Sequence, residues 1–212
     1  MNKYLTLALP KGRLGDSALE QFDKIGWTTS IQKDSRKLVF IDEVLRIRFM
    51  FVKPADVITY VENGVADLGV IGKDSILEEE ADVYELLDFG FGKCKFSIAG
   101  QKNFQLHQKD SVLKIATKYP RVTLKYFASR NQSIEIIKLN GSVELAPLVG
   151  LSDVIVDIVE TGGTLKANGL EILEDMMDIS AKLIANRVSY RFKHDRIQQL
   201  IQLLQEQKEV TT

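Results

Sequence analysis

Residues 4–25 read YLTLALPKGRLGDSALEQFDKI, and the order of textures in this stretch decides the fold class. Tyr4 to Leu9 is an apolar run of strand length. Pro10 to Gly15 is a turn, and from Leu14 the apolar positions Leu14, Ala18, Leu19, Phe22 and Ile25 fall at helical spacing. A strand that runs through a short turn into an amphipathic helix is the repeating unit of an α/β fold, here expected to have largely parallel strands. The alternation continues along the chain. Lys37 to Ile41 and Leu45 to Val52 predict a hairpin around Asp42 and Glu43, and Pro54 suits the first turn of a helix reaching about Glu62, where its missing amide costs nothing. Ala66 to Ile71, Lys95 to Ala99, Leu113 to Thr117, Ile134 to Lys138, part of Leu151 to Val159, and Asp178 to Asn186 read as strands. Lys73 to Glu80 and Val122 to Asn131 read as helices, and His194 to Gln207 closes the pattern as an amphipathic helix through Ile197, Leu200, Ile201 and Leu204.

The texture changes at Asp88-Phe89-Gly90-Phe91-Gly92, where two glycines precede a new strand. This predicts a crossing between two lobes, residues 1–90 with 179–212 forming the first and 91–178 the second. No repeat, low-complexity tract or Pro/Ser-rich linker separates them, as expected when the chain passes between lobes more than once.

Composition excludes several classes. Lys and Arg total 28 against 29 Asp and Glu, a formal net charge of −1, which argues against a general nucleic-acid or membrane-surface binder. With 45% hydrophobic and 27% charged residues the 212-residue chain can bury one sizeable core or two modest ones. Cys94 is the single cysteine and His107 and His194 the only histidines, so a disulfide framework is excluded and a Cys/His zinc site is not expected; the setting reads as cytoplasmic. Lys11 and Arg13 interrupt the N-terminal apolar run before signal-peptide length, and no window approaches about 18 apolar residues.

The segment richest in chemistry is DVIVDIVETGGTLKANGL, residues 153–170. An apolar strand carrying acidic residues enters Glu160-Thr161-Gly162-Gly163-Thr164. Glycines let the backbone approach an anion and threonine hydroxyls donate hydrogen bonds, which suits a phosphomonoester. Asp157 and Glu160 at the strand end can accept hydrogen bonds from vicinal sugar hydroxyls or face a magnesium ion, so the combination suits a ribose 5-phosphate. The alternative is a strand-to-helix turn whose threonines only cap the helix. At the N-terminus, Lys11-Gly12-Arg13 ends the first strand with two cations around a glycine; ligands of open α/β sheets sit at that end of the strands, although solvated turn cations look the same. Arg36, Lys53 and Asp56 form a third group, and Asp67 to Asp74 repeats the strand, glycine, charge arrangement.

Taken together, LALPKGRL (7–14), SRKL (35–38), KPADVITYVENGVADLGVIGKD (53–74), ELLDFGFGKCK (85–95), IATKYP (115–120), KLNGSVELAPLVGLSDVIVDIVETGGTLKANGL (138–170) and DISAKLIANRVSY (178–190) resemble the ATP phosphoribosyltransferase family, over nearly the whole chain. The resemblance implies a two-lobed fold like that of periplasmic binding proteins with the active site in the inter-lobe cleft. It implies transfer of 5-phosphoribosyl from phosphoribosyl pyrophosphate to ring nitrogen 1 of the adenine of ATP, the first step of histidine biosynthesis, with Mg²⁺ carried on substrate phosphates. By the same resemblance, Asp157, Glu160, Thr161, Gly162, Gly163 and Thr164 hold phosphoribosyl pyrophosphate. Lys11, Arg36 and Lys53 are catalytic, and Lys11, Gly12, Arg13, Asp74, Cys94, Ser142 and Glu144 contact ATP. The family commonly has arginine at the position of Lys53, so the charge is kept here while the bidentate fork is lost. No protein metal ligand is assigned.

The matching core ends near Tyr190, and the remaining 22 residues suffice for a helix and a polar tail. The chain is therefore expected to be the short form, without a C-terminal regulatory domain, dimeric and paired with a separate subunit resembling a histidyl-tRNA synthetase in a hetero-octamer. The alternatives are a phosphoribosyltransferase that uses a free base and a two-lobed solute-binding protein.

Overall fold

The computed structural model of the chain describes residues 4–28, 31, 36–106 and 112–210; His107 and Ser35 lie outside them. In chain order the elements are β1 (Leu5–Pro10), α1 (Arg13–Lys24), β2 (Val39–Asp42), β3 (Ile47–Val52), a 3₁₀ turn (Pro54–Asp56), α2 (Val57–Glu62), β4 (Leu68–Gly72), α3 (Lys73–Glu79) and β5 (Val83–Asp88). There follow β6 (Cys94–Gln101), β7 (Leu113–Thr117), α4 (Pro120–Ala128), β8 (Ile134–Lys138), α5 (Leu145–Leu148), β9 (Val154–Val159), α6 (Gly163–Ala167) and β10 (Leu170–Ile179). The chain closes with β11 (Ala181–Asn186), α7 (Arg187–Phe192) and α8 (His194–Val210).

Two compact units result. The first contains the described residues up to Ile76, Glu80–Gly92 and those from Ser180 onward; the second contains Leu77–Glu79 and Lys93–Ile179. Leu77–Glu79 group with the second unit because the Glu78 carboxylate accepts the amides of Arg121 and Val122 at the start of α4, at 3.0 and 3.1 Å. The sequence places the crossings at 90/91 and 178/179. Ala181 N–H donates to Phe91 O at 3.1 Å and Phe89 N–H to Ala181 O at 3.0 Å, which ties the Gly90–Gly92 turn to the first unit.

The first unit is built on a sheet of order β2-β3-β1-β4-β11-β5. β1 is buried along its whole length, and its side chains alternate between two cores. Leu5, Leu7 and Leu9 pack with Phe22 of α1, Phe49, and Ile197, Leu200 and Leu204 of α8, whereas Ala8 faces Val57, Ile58 and Val61 of α2. The second unit has order β10-β6-β9-β7-β8 and the same two-sided logic. Phe96, Ile98, Ile115, Val154 and Val156 meet Phe127 of α4 on one face; Ala99, Ala116 and Ile155 meet Val143, Ala146 and Leu165 on the other.

Two expectations are corrected. The strands are not largely parallel: β3, β1 and β4 run parallel, as do β9, β7 and β8, but β2, β11 and β5 in one sheet and β6 and β10 in the other are antiparallel to their neighbours. The strands that follow the two crossings, β6 and β11, run against the parallel triplet of their sheet, whereas β5 and β10, antiparallel to β11 and β6, keep its sense. Nor is Asp178–Asn186 one strand. Ile179 ends β10, paired with Cys94, and Ala181 begins β11, paired with Gly72, with Ser180 between the two sheets. Helix α6 starts at Gly163, within the Glu160–Thr164 segment.

Ser180 is held by Asp88, whose carboxylate accepts from Ser180 Oγ at 2.9 Å, Lys182 Nζ at 2.7 Å and Gly90 N–H at 2.8 Å. Partial desolvation pushes this carboxyl upward, but the hydrogen bonds from Lys182, Gly90 and Ser180 outweigh it and bring it down to about 2. A depressed carboxyl stabilises the fold above the unfolded value near 3.8, and that contribution is lost as pH falls toward about 2. Asp88→Asn is thus expected to lower the urea midpoint at pH 7, with the gap to wild type closing between about pH 4 and pH 2. A gap that stays constant with pH would reject the assignment.

Candidate functional site

In the first unit the carboxyl ends of the parallel strands β3, β1 and β4 lie side by side, and each delivers a charged segment: Lys53, Lys11-Gly12-Arg13 and Lys73-Asp74. Lys11 is fixed by its backbone, its N–H donating to Val52 O at 2.9 Å. Gly12 follows with φ 98° and ψ −169°, a conformation in which a side chain is strained, and serves as the N-cap of α1. The exposed turn opens onto a cavity of about 650 Å³ in this unit, lined by Lys11, Gly12 and Arg36 among others. Three of the sequence-derived candidates therefore meet at one cavity. Arg13 is exposed at the first position of α1, and neither it nor Lys53 lines this space. Lys53 is exposed one residue beyond β3, at the entry to the 3₁₀ turn.

The cavity also has walls that the sequence did not single out. Asp16, Glu20 and Asp23 come from the exposed side of α1, and Phe40 and Phe51 form an edge-to-face pair with centroids 5.7 Å apart. The helical spacing of the three carboxylates was visible in the sequence; their position on a cavity was not, because its other lining residues, Thr28, Ile31, Arg36, Phe40 and Phe51, come from elsewhere in the chain. Asp74 sits in the first turn of α3, half-buried, where Ser75 Oγ lies 3.4 Å from its Oδ2. A Cβ on Gly72 would lie 2.1 Å from Asp74 Oδ1, so the glycine leaves room for this carboxylate to fold back toward the end of β4.

In the second unit β9 carries Asp157 and Glu160 to its carboxyl end. Asp157 is half-buried and its Oδ1 accepts from the N–H of Ile158 at 2.8 Å; Glu160 is exposed. Gly162 has φ 72° and ψ 8°, a left-handed position at which glycine is favoured, and caps α6. Gly163 is different: a Cβ there would make an ordinary 3.6 Å contact with Thr161 Oγ1. Because the N-cap is a glycine, no side chain caps α6, and the one hydroxyl contact to a loop amide, Gly163 N–H to Thr161 Oγ1, is long at 3.4 Å. The reading in which the threonines merely cap the helix is thus weakly represented in the geometry. Leu165 anchors the loop in the same apolar cluster as Val143, which brings Ser142 and Glu144 to the same face. Ser142 adopts a left-handed φ of 47° in the turn after β8. Cys94 begins β6 and packs at the margin of the opposite apolar cluster.

A sequence model described as HisG, ATP phosphoribosyltransferase, matches residues 53–206. An ATP phosphoribosyltransferase of Clostridioides difficile (strain 630) is 62% identical over 203 residues, covering 96% of this chain and 98% of that protein. The chain belongs to the ATP phosphoribosyltransferase family. Its members include a protein of Lachnoclostridium phytofermentans that is 52% identical over 208 residues, with 96% of this chain and 97% of that one covered. Among solved structures, a chain of the ATP phosphoribosyl transferase (HisG:HisZ) complex from Thermotoga maritima is 39% identical, with TM-score 0.83, covering 97% of this chain and 98% of that chain. The alkanesulfonate-binding protein SsuA from Xanthomonas axonopodis pv. citri shares only 14% identity at TM-score 0.57, covering 97% of this chain and 73% of that one, which establishes the periplasmic-binding-protein-like fold and nothing about ligands.

Proposed function

We propose that the chain transfers 5-phosphoribosyl from phosphoribosyl pyrophosphate to ring nitrogen 1 of ATP, releasing pyrophosphate in the first step of histidine biosynthesis. The observation that carries this reading is the end of β9, where Asp157 and Glu160 run directly into the left-handed Gly162 turn within a chain of this family. Glu160–Thr164 holds the 5-phosphate through loop amides and hydroxyls, and Asp157 with Glu160 accepts hydrogen bonds from the ribose hydroxyls. Lys11, Arg36 and Lys53 face the diphosphate leaving group. Gly12, Arg13, Asp74, Cys94, Ser142 and Glu144 are assigned to ATP.

Ring nitrogen 1 attacks the anomeric carbon with its lone pair as the bond to the pyrophosphate oxygen breaks. This nucleophile is neutral, so no protein base is needed to start the reaction. Charge separates instead, positive on the ribose and negative on the diphosphate, and fixed charges aimed at both ends lower the barrier. Among the described residues no group of three or more His, Cys, Asp or Glu side chains is placed to hold a metal ion. The oxygen donors Asp157 and Glu160 fit a Mg²⁺ that keeps water and phosphate oxygens in its shell, and such an ion supplies charge neutralisation to the diphosphate.

The reading extends to the cytoplasm, to a catalytic dimer and to assembly with a separate regulatory subunit in a hetero-octamer, the partner named in the Thermotoga maritima complex supporting the pairing. No helix of the described residues is long and apolar enough to cross a membrane. A coupled pyrophosphate-release assay with ATP and phosphoribosyl pyrophosphate, run with and without the regulatory subunit, is expected to show product in the complete mixture. Release with a free base such as orotate or hypoxanthine in place of ATP would overturn the reading.

A further inference from the structure

Ser97 lies between two aspartates. Three residues come level on adjacent strands of the second unit: Asp157 of β9 is paired with Ser97 of β6, and Ser97 with Asp175 of β10. Alternation puts all three on one face of the sheet. Ile155 and Val159, two residues before and two after Asp157, pack in the apolar cluster that contains Leu165 of α6, and Ala99 of β6 joins the same cluster. Phe96, Ile98, Val154 and Val156 belong to the cluster on the opposite face. On β10 the register shifts on either side of Glu174 and Asp175, and the two carboxylates part: Glu174 accepts from Tyr126 Oη at 2.5 Å, Asp175 from Ser97.

The serine is 1% exposed, and its hydroxyl has a single proton to give. Directly opposite side chains on neighbouring strands have Cβ atoms about 4.5–5.5 Å apart, so a serine hydroxyl can turn toward either carboxylate. The structure gives the proton to Asp175. Ser97 Oγ donates to Asp175 Oδ1 at 2.8 Å, and Lys95 Nζ donates to Oδ2 of the same carboxylate at 2.7 Å. The bonds from Lys95 and Ser97 hold Asp175 below the usual carboxylate range, so at neutral pH it is a charged acceptor. Asp157 has another duty, since the ribose hydroxyls must donate to it. A serine proton placed there would take up acceptor capacity and draw off negative charge.

We propose that Asp175 is a positioning residue for the ribose subsite: it holds the Ser97 proton toward β10 and away from Asp157, so that Asp157 keeps its acceptor capacity for the ribose hydroxyls of phosphoribosyl pyrophosphate. The proposal rests on the assignment of Asp157 to those hydroxyls and adds a residue that acts on it without touching substrate.

The test uses the full chain with its regulatory subunit. The Asp175 side chain is 42% exposed, so its truncation leaves no hole in the core. Asp175→Ala is expected to release the Ser97 hydroxyl to Asp157 and to raise the KM for phosphoribosyl pyrophosphate about tenfold, the effect of one charge-assisted hydrogen bond. The KM for ATP should not move, and kcat should change far less than the KM for phosphoribosyl pyrophosphate. Ser97→Ala removes the competing proton: alone it should leave that KM near the wild-type value, and combined with Asp175→Ala it should restore most of the loss. A merely structural role for Asp175 gives the opposite order, with the double variant no better than Asp175→Ala. That order, or an unchanged KM in Asp175→Ala, overturns the proposal. If the wild-type complex makes no product from ATP and phosphoribosyl pyrophosphate, the functional reading has failed instead. Calorimetric titration of wild type, Asp175→Ala and the double variant with ribose 5-phosphate then decides Asp175 alone; equal affinity in wild type and Asp175→Ala, or no recovery in the double variant, rejects it.

Discussion

Alanine at Arg36 or at Lys11 is expected to lower turnover by about 10²–10³-fold, the scale seen when one preorganised donor to a developing charge is removed, while leaving stability within about 0.5 kcal/mol of wild type. The two halves of this expectation have separate origins. Both side chains are exposed and both line the 650 Å³ cavity at the end of β1, so their loss leaves no hole in the core. The position of Lys11 is set by its own N–H to Val52 O, which alanine retains. In the proposed mechanism, what disappears is charge directed at the diphosphate as its bond to the ribose breaks. That charge is larger in the transition state than in bound substrate, so the loss should fall on kcat more than on KM. Arg36→Lys should recover only part of the activity, because a point charge replaces a planar fork. Single-turnover measurements beside thermal melts check both halves; wild-type rates in both alanine variants would remove these residues from the machinery.

Legibility followed the physics of each element. Leu113–Thr117 and Ile134–Lys138 have the bounds that their apolar runs predict, since they are inner or half-covered strands of a parallel triplet. β10 was silent because its register shifts between Ile172 and Glu174 and between Asp175 and Met177, which breaks the period-two pattern that betrays a strand. β5 was silent for another reason: as an edge strand it leaves Tyr84, Glu85 and Asp88 exposed, and its sequence VYELLD reads as neither period. The split at Ser180 could not be seen because both flanking strands are apolar and only their partners differ. Of the proposed site, Lys11, Arg36 and the Glu160–Thr164 segment stand out in the sequence as charged or glycine-bearing stretches beside predicted strands. Glycine 15 was invisible as anything more than the end of a turn.

Gly15→Ala is expected to destabilise the first unit by about 3 kcal/mol, at the upper end of overpacking costs, and to lower the melting temperature by about 6–12 °C for a chain of this length. Two effects oppose each other here. Gly15 is the third residue of α1, and in a helix alanine is favoured over glycine by about 0.5–1 kcal/mol. Against this, a Cβ at residue 15 would lie 1.8 Å from the carbonyl oxygen of Pro10 and 3.0 Å from its carbonyl carbon. Both obstacles are backbone atoms of a buried strand, so no rotamer change relieves them, and the sterics win. Helix α1 must lift from the end of β1 or the Lys11–Gly12 turn must shift. That turn is tied to the helix by Asp16 N–H donating to Gly12 O at 3.0 Å, so the proposed anion-binding backbone moves with it. A displacement of a few tenths of an ångström at Lys11 misaims a charge that acts by position, and turnover should fall with stability. Gly12→Ala offers the contrast: nothing lies within 4 Å of a Cβ at that residue, so any loss there comes from its backbone angles rather than from contact. A Gly15→Ala variant that melts at or above the wild-type temperature would show that helix propensity outweighs the close approach and that α1 does not depend on this glycine to seat the turn.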